Sequence, residues 1–286
     1  MSRRFLILLL CAGSLNGMVS RLSLADPSEG PLLIDGEIEM ITRTESVDGH
    51  PFPEVISGWH YRTESTRALQ ADSFENPGML AVEEGEDLWN TVEGTEGKSC
   101  ASCHDDASVS MVSAASSYPG WDRENGKPIN IEQRINRCRV ENMGAEAYAF
   151  DEDRQKSLTA FIKNQAMGEP VRIDVDEGEM QVWWERGRQV YYTRKGQLDL
   201  SCASCHERNN GKHIRADHLS QGNVNGFPTY RLKQSALVSL HNRFRGCIRD
   251  TRAEIPDAFS DELMALEVYT TWRSQGLSVE TPAVRQ

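Results

Sequence analysis

The sequence predicts a mainly α-helical protein made of two tandem units of the same kind behind an irregular N-terminal arm. The pentapeptide Cys-Ala-Ser-Cys-His occurs at 100–104 and again at 202–206. A helical segment with tryptophan precedes each copy, and a lone cysteine among arginines and an amphipathic helix that ends at glycine follow it. The pentapeptides, the lone cysteines and the closing glycines recur at offsets of 102, 109 and 108 residues. Such nearly constant offsets indicate a duplicated domain.

The composition is that of a globular protein with room for two cores. Of the 286 residues, 38% are hydrophobic and 26% are charged, which excludes a disordered chain. A mean hydropathy of -0.54 excludes a polytopic membrane protein. The formal charge of -12 argues against a nucleic-acid surface, because binding to phosphates requires a net basic face. We therefore expect no nucleic-acid partner and no membrane span.

The first residues predict an export signal at 1–25 that is absent from the mature protein. Arg3 and Arg4 open the chain, an apolar run follows at 5–12, and small residues lead to Ala25. Cleavage there leaves 261 residues with a charge of -15 and six of the seven cysteines. Cys11 lies within the predicted signal and leaves with it. We do not expect this cysteine to be lipidated, because the leucines before it lack the small residues of a lipidation site. These features predict a periplasmic protein.

Both pentapeptides have the form C-x-x-C-H, which is typical of covalent haem c attachment. Two thiols three residues apart reach the vinyl groups on one edge of the macrocycle, and the adjacent histidine offers its imidazole to the iron. The motifs therefore predict two covalently bound haem c groups on Cys100, Cys103, Cys202 and Cys205. The predicted axial ligands on one side of the two irons are His104 and His206. Zinc is disfavoured because no further C-x-x-C pair is present.

Each unit has the order of elements of a cytochrome c domain: helix, attachment turn, loop around the haem, distal ligand and closing helix. Helices are predicted at 81–92 and 154–168 in the first unit, and at 180–193 and 261–276 in the second. The apolar stripe of the closing helices, with Phe161, Tyr269 and Trp272, is interpreted as core. We predict an N-terminal arm at 26–75, a first cytochrome c-like domain at 76–169 and a second at 170–286.

The second axial position of each iron decides what the haem can do. Cysteine occupies matching positions in both units: Cys138 lies 34 residues after the first motif histidine, and Cys247 lies 41 residues after the second. A thiolate ligand lowers the reduction potential and is stabilised near cations, and each cysteine is flanked by arginines. The residues predict Cys138 and Cys247 as distal iron ligands.

Several alternatives to cysteine ligation stay open at this point. The two cysteines can form a disulfide or be inert buried thiols. The first haem can be bound by methionine or by an Asx side chain, with Met143 the nearest methionine. The histidines that can serve as distal ligands of the second haem are His213, His218 and His241.

These residues resemble the SoxA family, the haem subunits of the SoxAX complex in bacterial sulfur oxidation. The resemblance rests on the two attachment motifs, on a cysteine in a basic setting after each, and on the run Arg-Phe-Arg-Gly-Cys-Ile-Arg at 243–249. It also includes Gly-Arg-Gln-Val-Tyr-Tyr at 187–192 and covers nearly the whole mature chain. The attachment motifs alone are generic, and the basic cysteine in the second unit makes the resemblance specific.

The resemblance implies an L-cysteine S-thiosulfotransferase. In this reaction thiosulfate is joined oxidatively to a cysteine of the carrier protein SoxY, and two electrons leave through haem. The resemblance places the reacting sulfur on Cys247, which is carried as a persulfide, and contact with the substrate on Arg243. It implies a monohaem SoxX partner and a downstream cytochrome c as electron acceptor. The first haem, with His104 and Cys138, is present in only some members of the family.

Thiosulfate is a dianion, and a chain of charge -15 repels it at long range, so a local cationic pocket is required. The four arginines around the second lone cysteine are predicted to supply it: Arg243, Arg245, Arg249 and Arg252. On a helix, Arg243 and Cys247 would share a face at i,i+4, so that a guanidinium holds the sulfonate oxygens while sulfur meets sulfur.

Two other functions remain open from the sequence. One is a plain dihaem electron-transfer cytochrome, and the other is a thiosulfate dehydrogenase that forms tetrathionate. A dihaem peroxidase is disfavoured, because it needs an open iron face that Cys247 would block.

Overall fold

The structure is a computed structural model and describes residues 31–176 and 178–286. Helix covers 42% of it, which confirms the mainly α fold. The predicted signal at 1–25 and Cys11 lie outside the described residues. The helices are α1 (Glu64–Ala71), α2 (Met79–Asn90), α3 (Ala101–His104), α4 (Ala107–Ser110), α5 (Val112–Ser117), α6 (Ile131–Met143), α7 (Asp153–Asn164), α8 (Gly178–Tyr192), α9 (Cys202–His206), α10 (Leu240–Asp250) and α11 (Asp261–Arg273).

The strands are short and form small, separate sheets. Four antiparallel pairs are β1 (Leu32–Ile34) with β2 (Ile38–Met40), β3 (Arg43–Glu45) with β4 (Glu54–Ile56), β5 (Gly120–Asp122) with β6 (Lys127–Ile129), and β7 (His213–Ile214) with β8 (Asp217–His218). The three-stranded sheet has β9 (Thr229–Arg231) between antiparallel β10 (Ala236–Val238) and parallel β11 (Ala283–Arg285). The hairpins β5–β6 and β9–β10 each lead directly into the helix that carries a lone cysteine.

The main packing unit is a pair of crossed helices, and it occurs twice. α2 packs on α7, and α8 packs on α11. The helices approach so closely that a side chain at Gly85 would overlap the Ser157 carbonyl oxygen, and one at Gly187 would overlap that of Ala265. Phe161 on α7 and Tyr269 on α11 are buried at these crossings. The interpretation of the closing-helix aromatic residues as core is confirmed.

The two closing helices end before the glycines that were predicted to terminate them. α7 ends at Asn164 and α11 ends at Arg273. Gly168 and Gly276 instead occupy left-handed turns beyond the helices, with φ of 88° and 83°. Their N–H groups donate to the carbonyls of Val279 and Val171. Each glycine therefore fixes the chain after the helix rather than the helix end itself.

The N-terminal segment is more regular than predicted. Over 31–75 the structure contains β1 to β4, a 3₁₀ turn at Gly58–Tyr61 and α1, so the expectation of an irregular arm is wrong for these residues. Leu32, Met40 and Trp59 form a small core of their own, and Met167 packs against it. The segment therefore folds onto the body of the protein.

The last residues of the chain lie in the interior. Val279 belongs to the core around α2 and α7, and the Val284 N–H donates to Gln70 on α1. Glu280 is buried and accepts hydrogen bonds from Ser57 and Gln70. This C-terminal tail, residues 277–286, thus joins the N-terminal segment to the α2–α7 pair.

Candidate functional site

Each attachment pentapeptide forms one helical turn that is held by serines. α3 and the residue before it carry the first motif, and α9 carries the second. The Ser99 N–H donates to Ser102 Oγ over 2.9 Å, and the Ser201 N–H donates to Ser204 Oγ over the same distance. The repeat is therefore a hexapeptide that begins with serine, a signal that the sequence analysis missed. Because the two turns are capped alike, each presents its thiols and its histidine on one rigid turn.

A cavity of about 560 Å³ lies beside the first motif. Ligand pockets generally have volumes of about 300–1,000 Å³. The thiols of Cys100 and Cys103 and the ring of His104 line this cavity, and Cys138 of α6 lines it as well. The remaining walls are largely apolar and include Trp89, Met111, Ile131, Ile135 and Ile162. Two thiols, an imidazole, a further thiol and apolar walls around one space fit a covalently attached haem.

The wall of this cavity formed by α6 contains each type of distal ligand considered above. Cys138, Asn142 and Met143 all line the cavity. Burial raises the pKa of the Cys138 thiol, and the guanidinium of Arg134, one turn earlier, acts in the opposite direction. The structure therefore brings the predicted ligand to the cavity with a cation on the same helix face.

The arginines adjacent to Cys138 pair with carboxylates, and the charge of Arg137 also acts to lower the pKa of the Cys138 thiol. Arg137 pairs with Asp122, and Arg139 pairs with Glu93. Neighbouring residues on a helix point in different directions, whereas residues four apart share a face. Arg137 therefore contributes to the thiolate less than Arg134 does, and Arg139 pairs with Glu93 instead.

The second site repeats this arrangement on α10. Arg243 precedes Cys247 by one turn, so the two residues share a helix face, as the sequence predicts for a helix. Burial raises the pKa of the Cys202 thiol to about 12, and the neighbouring Cys247 contributes to this rise. Burial and Cys247 also raise the pKa of Cys205, while Arg243 lowers it. The structure thus brings Cys247 and Arg243 together with the second attachment motif.

The ring of His206 is oriented by the chain that follows the motif. Its Nδ1 lies 2.9 Å from the carbonyl oxygen of Ser220. Burial lowers the pKa of His206 to about 4, so the imidazole is neutral and Nδ1–H donates to this carbonyl. The lone pair is then on Nε2, which is the tautomer required of an iron ligand. The second donor set, like the first, fits haem c.

The histidines considered as alternative ligands have other partners. His241 Nε2 lies 2.9 Å from Glu267 Oε2, and its Nδ1 accepts a hydrogen bond from the N–H of Phe259. His213 and His218 stack on each other in the β7–β8 hairpin with ring centroids 4.4 Å apart. These contacts favour Cys247 over histidine at the second site.

A disulfide between Cys138 and Cys247 is not formed. Each of the six cysteines in the part of the chain that the structure describes is a free thiol. The alternative of a disulfide is therefore wrong for this structure, and both cysteines remain available to their sites.

The arginines near Cys247 are not the same set as those predicted to form the cationic pocket. Arg249 is exposed and pairs with Asp250 over 3.0 Å. The guanidinium of Arg245 lies over the ring of Phe150, 5.2 Å from its centroid. Arg252 is exposed beyond the end of α10. Of the four arginines predicted to form the pocket, Arg243 is the one whose charge acts on the second attachment motif.

Two arginines from distant segments join Arg243. Burial lowers the pKa of Arg62 to about 10, and the charge of Arg243 contributes to this shift. Burial also lowers the pKa of Arg231, and the charge of Arg243 lowers it further. Cys247 acts to raise the same pKa. Arg62 comes from the N-terminal segment and Arg231 from β9. Neither arginine was predicted from the sequence, since nothing in a local pattern connects them with Cys247.

The fold and the two sites define the chain as a c-type cytochrome, which holds haem covalently through cysteine thiols. Crossed helix pairs support a C-x-x-C-H turn, and the first such turn opens on a cavity that fits the macrocycle. Among the described residues, none of the helices is both long and apolar enough for a transmembrane span.

Comparisons with known proteins give the family. Residues 84–171 match the family model described as "SoxA/TsdA, cytochrome c domain". The chain is 64% identical over 262 residues to the L-cysteine S-thiosulfotransferase subunit SoxA of Pseudaminobacter salicylatoxidans, covering 92% of this chain and 91% of that protein. It is 48% identical over 280 residues to the subunit of the same name from Rhodovulum sulfidophilum, covering 97% and 96%.

The similarity extends to three dimensions. The crystal structure of SoxXA from P. pantotrophus matches with a TM-score of 0.86 at 45% sequence identity, covering 91% of this chain and 100% of that chain. The chain belongs to the SoxA family.

Proposed function

We propose that this protein is the haem subunit of an L-cysteine S-thiosulfotransferase, which couples thiosulfate to a cysteine of a SoxY-type carrier protein. A sulfur–sulfur bond forms between the carrier cysteine and the sulfane sulfur of thiosulfate. The carrier thiol loses its proton, and two electrons leave. The observation that carries the proposal is the placement of Cys247 and Arg243 on one face of α10 beside the second attachment motif. The names of the relatives support the same activity.

The haem supplies an electron acceptor, and the chain supplies the sulfur chemistry. Cys247 carries the reacting sulfur as a persulfide, which meets the substrate sulfur in the pocket. Arg243 holds the sulfonate oxygens of thiosulfate, because a guanidinium fork matches two oxygens at once. Arg62 and Arg231 keep the surroundings cationic, which offsets the repulsion of a dianion by an acidic protein.

We further propose two haem groups, one in each of two cytochrome c-like domains at 76–169 and 170–286. Cys100 and Cys103 would hold the first haem covalently, and His104 and Cys138 would bind its iron. Cys202 and Cys205 would hold the second, and His206 and Cys247 would bind its iron. Three repeated features support this division: the serine-capped turn, the helix pair that crosses at a glycine, and the arginine one turn before the lone cysteine.

The partners follow from the same proposal. A monohaem SoxX-type cytochrome forms the heterodimer, as the similar SoxXA structure suggests, and a downstream cytochrome c accepts the electrons. The predicted signal at 1–25 directs the chain to the periplasm. There the cysteines meet the apparatus that attaches haem to exported proteins.

Intact mass spectrometry of the purified protein tests the number of haems and the state of Cys247. We expect a mass equal to the mature chain plus two haem groups, with about 32 additional mass units of sulfur on the peptide that contains Cys247. Treatment with a thiol reductant should remove only the additional sulfur. A single haem, or extra sulfur on a different cysteine, would contradict the proposal.

Arg243→Ala should weaken the use of thiosulfate more than the chemical step. Hydrogen bonds to charged groups contribute about 1.5–3 kcal/mol, so we expect the KM for thiosulfate to rise about 10- to 100-fold. The measurement is the initial rate against thiosulfate concentration with the carrier protein present.

The matched control for this variant is Arg249→Ala, which removes an arginine from the same helix. Because Arg249 is exposed and pairs with Asp250, its removal should leave the KM unchanged. Equal effects of the two substitutions would show that Arg243 acts only through the general charge of α10.

A further inference from the structure

The segment after the second attachment motif holds the ring of His206 on two sides. Ser220 accepts the hydrogen bond from Nδ1, as described above. The backbone at Gly222 lies so close to the ring that an added Cβ would be 2.8 Å from His206 Cγ. The orientation of this imidazole is therefore determined by where the backbone at 220–222 is fixed.

One buried arginine fixes both that backbone and the residue next to His206. Arg273 on α11 has a side chain with no exposed surface. Its Nη1 donates to Glu207 Oε1 over 2.5 Å, and its Nη2 donates to the Gln221 carbonyl oxygen over 3.4 Å. Glu207 follows His206 in the chain, and Gln221 follows Ser220, so Arg273 contacts the neighbours of both partners in the His206–Ser220 hydrogen bond.

Further contacts show that this guanidinium is held in place by aromatic residues. It lies over the ring of Tyr191, 4.5 Å from the centroid. Tyr192 also donates its hydroxyl to Glu207 Oε1 over 2.8 Å. The Nε of Arg273 is buried and has no hydrogen-bond partner among the described residues. A buried charge with an unsatisfied donor is costly unless a strong pairing offsets it, so this arrangement is not what a stability-optimised core would contain.

The first unit lacks this charged pair. Gln165 lies 108 residues before Arg273, and the same offset separates Phe161 from Tyr269. Gln165 is therefore the equivalent of Arg273 in the first unit. The Gln165 amide donates to the Phe161 carbonyl of its own helix. The first motif histidine, His104, is exposed and contacts the ring of Trp89, with centroids 5.8 Å apart. The buried ion pair therefore belongs only to the half that contains Cys247.

We propose that Arg273, paired with Glu207, is a positioning residue of the second haem that holds His206 and sets the reduction potential of the centre that contains Cys247. The inference rests on the proposed function, which places a haem at this motif. A buried cation near the iron stabilises the reduced state, and a buried carboxylate stabilises the oxidised state. In a poorly screened interior, the loss of either charge shifts the potential in a direction set by its sign.

The test uses the haem-loaded complex and two substitutions with opposite electrostatic effects. Arg273→Gln introduces the residue that the first unit has, and Glu207→Gln removes the paired carboxylate. The measurement is the midpoint potential of each haem by spectroelectrochemistry, with haem content checked by intact mass. The second haem is identified as the one whose spectrum changes in Cys247→Met.

Arg273→Gln should make reduction of the second haem at least about tenfold less favourable, a fall of about 59 mV for one electron. Glu207→Gln should shift the same potential upward. The potential of the first haem should be unchanged in both variants. Arg273→Lys, which keeps the charge, should retain most of the original potential.

Shifts of the same sign in the two glutamine variants would overturn the proposal, because loosening of the core would move both alike. No shift of the second haem in Glu207→Gln would also overturn it, even if Arg273→Gln fails to fold. These potentials are measured without thiosulfate or carrier protein. Their outcome is therefore separate from that of the activity tests on Cys247, which decide the proposed function.

Discussion

Cys247→Ser is expected to abolish the transfer of thiosulfate to the carrier cysteine while leaving both haem groups attached. The substitution removes the sulfur that meets the substrate, and the attachment thiols Cys202 and Cys205 are untouched. Removing a covalent nucleophile generally costs several orders of magnitude, so we expect a loss of at least about 10³-fold in turnover. The measurement combines the rate of carrier modification by thiosulfate with the intact mass of the variant.

The matched control is Cys138→Ser, which makes the same change at the equivalent position of the first unit. It should alter the spectrum of the first haem and leave most of the transfer activity, because Cys138 lines the cavity beside the first motif. Full activity of Cys247→Ser with thiosulfate and carrier would show that the reacting sulfur lies elsewhere. A loss of haem from this variant would make Cys247 a structural ligand rather than the reacting residue.

Gly187→Ala is expected to destabilise the second unit strongly although it adds only one methyl group. The new Cβ would overlap the carbonyl oxygen of Ala265 and contact Tyr269, so α8 and α11 must move apart. Overpacking of this kind generally costs about 1–3 kcal/mol, and backbone atoms cannot rotate away as side chains do, so about 3 kcal/mol or more is expected. The measurement is the free energy of unfolding of the haem-loaded protein in urea, followed by circular dichroism.

Gly120→Ala is the control for this stability experiment. A Cβ at Gly120 in β5 would contact nothing within 4 Å, so the free energy of unfolding should change by less than about 0.5 kcal/mol. Similar effects of the two substitutions would mean that the α8–α11 crossing tolerates separation. In that case the close approach at Gly187 would not explain how the second motif is supported.

The sequence was sufficient to predict those parts of the site whose residues lie close together in the chain. Their spacing is set by covalent chemistry or by helix geometry. The attachment motifs are contiguous because two thiols must reach one edge of a single macrocycle. Arg243 was correctly related to Cys247 because i,i+4 neighbours share a helix face. The same rule explains why Arg137 and Arg139, which are next to Cys138 in the chain, pair with carboxylates, since adjacent side chains on a helix diverge.

The parts that were not predictable depend on contacts between distant segments. Arg62 reaches the second site from the N-terminal segment, and Arg273 reaches His206 from α11. Neither is marked by a local pattern, because a single sequence contains spacing but no information on which segments meet. The regular structure of 31–75 was missed for the same reason: its short strands are stabilised by packing against Met167 and the C-terminal tail.

The burial of residues 277–286 also determines when the molecule can finish folding. The hydrogen bond from Val284 to Gln70 joins residues 214 apart, and that from Ile41 to Ser278 joins residues 237 apart. Contacts at such separations form late, because they must close the longest loops. A chain released from its N-terminus therefore exposes both C-x-x-C-H motifs well before its last segment is free to dock. We therefore expect the N-terminal segment to complete its packing only after the tail has arrived, as the last step of folding.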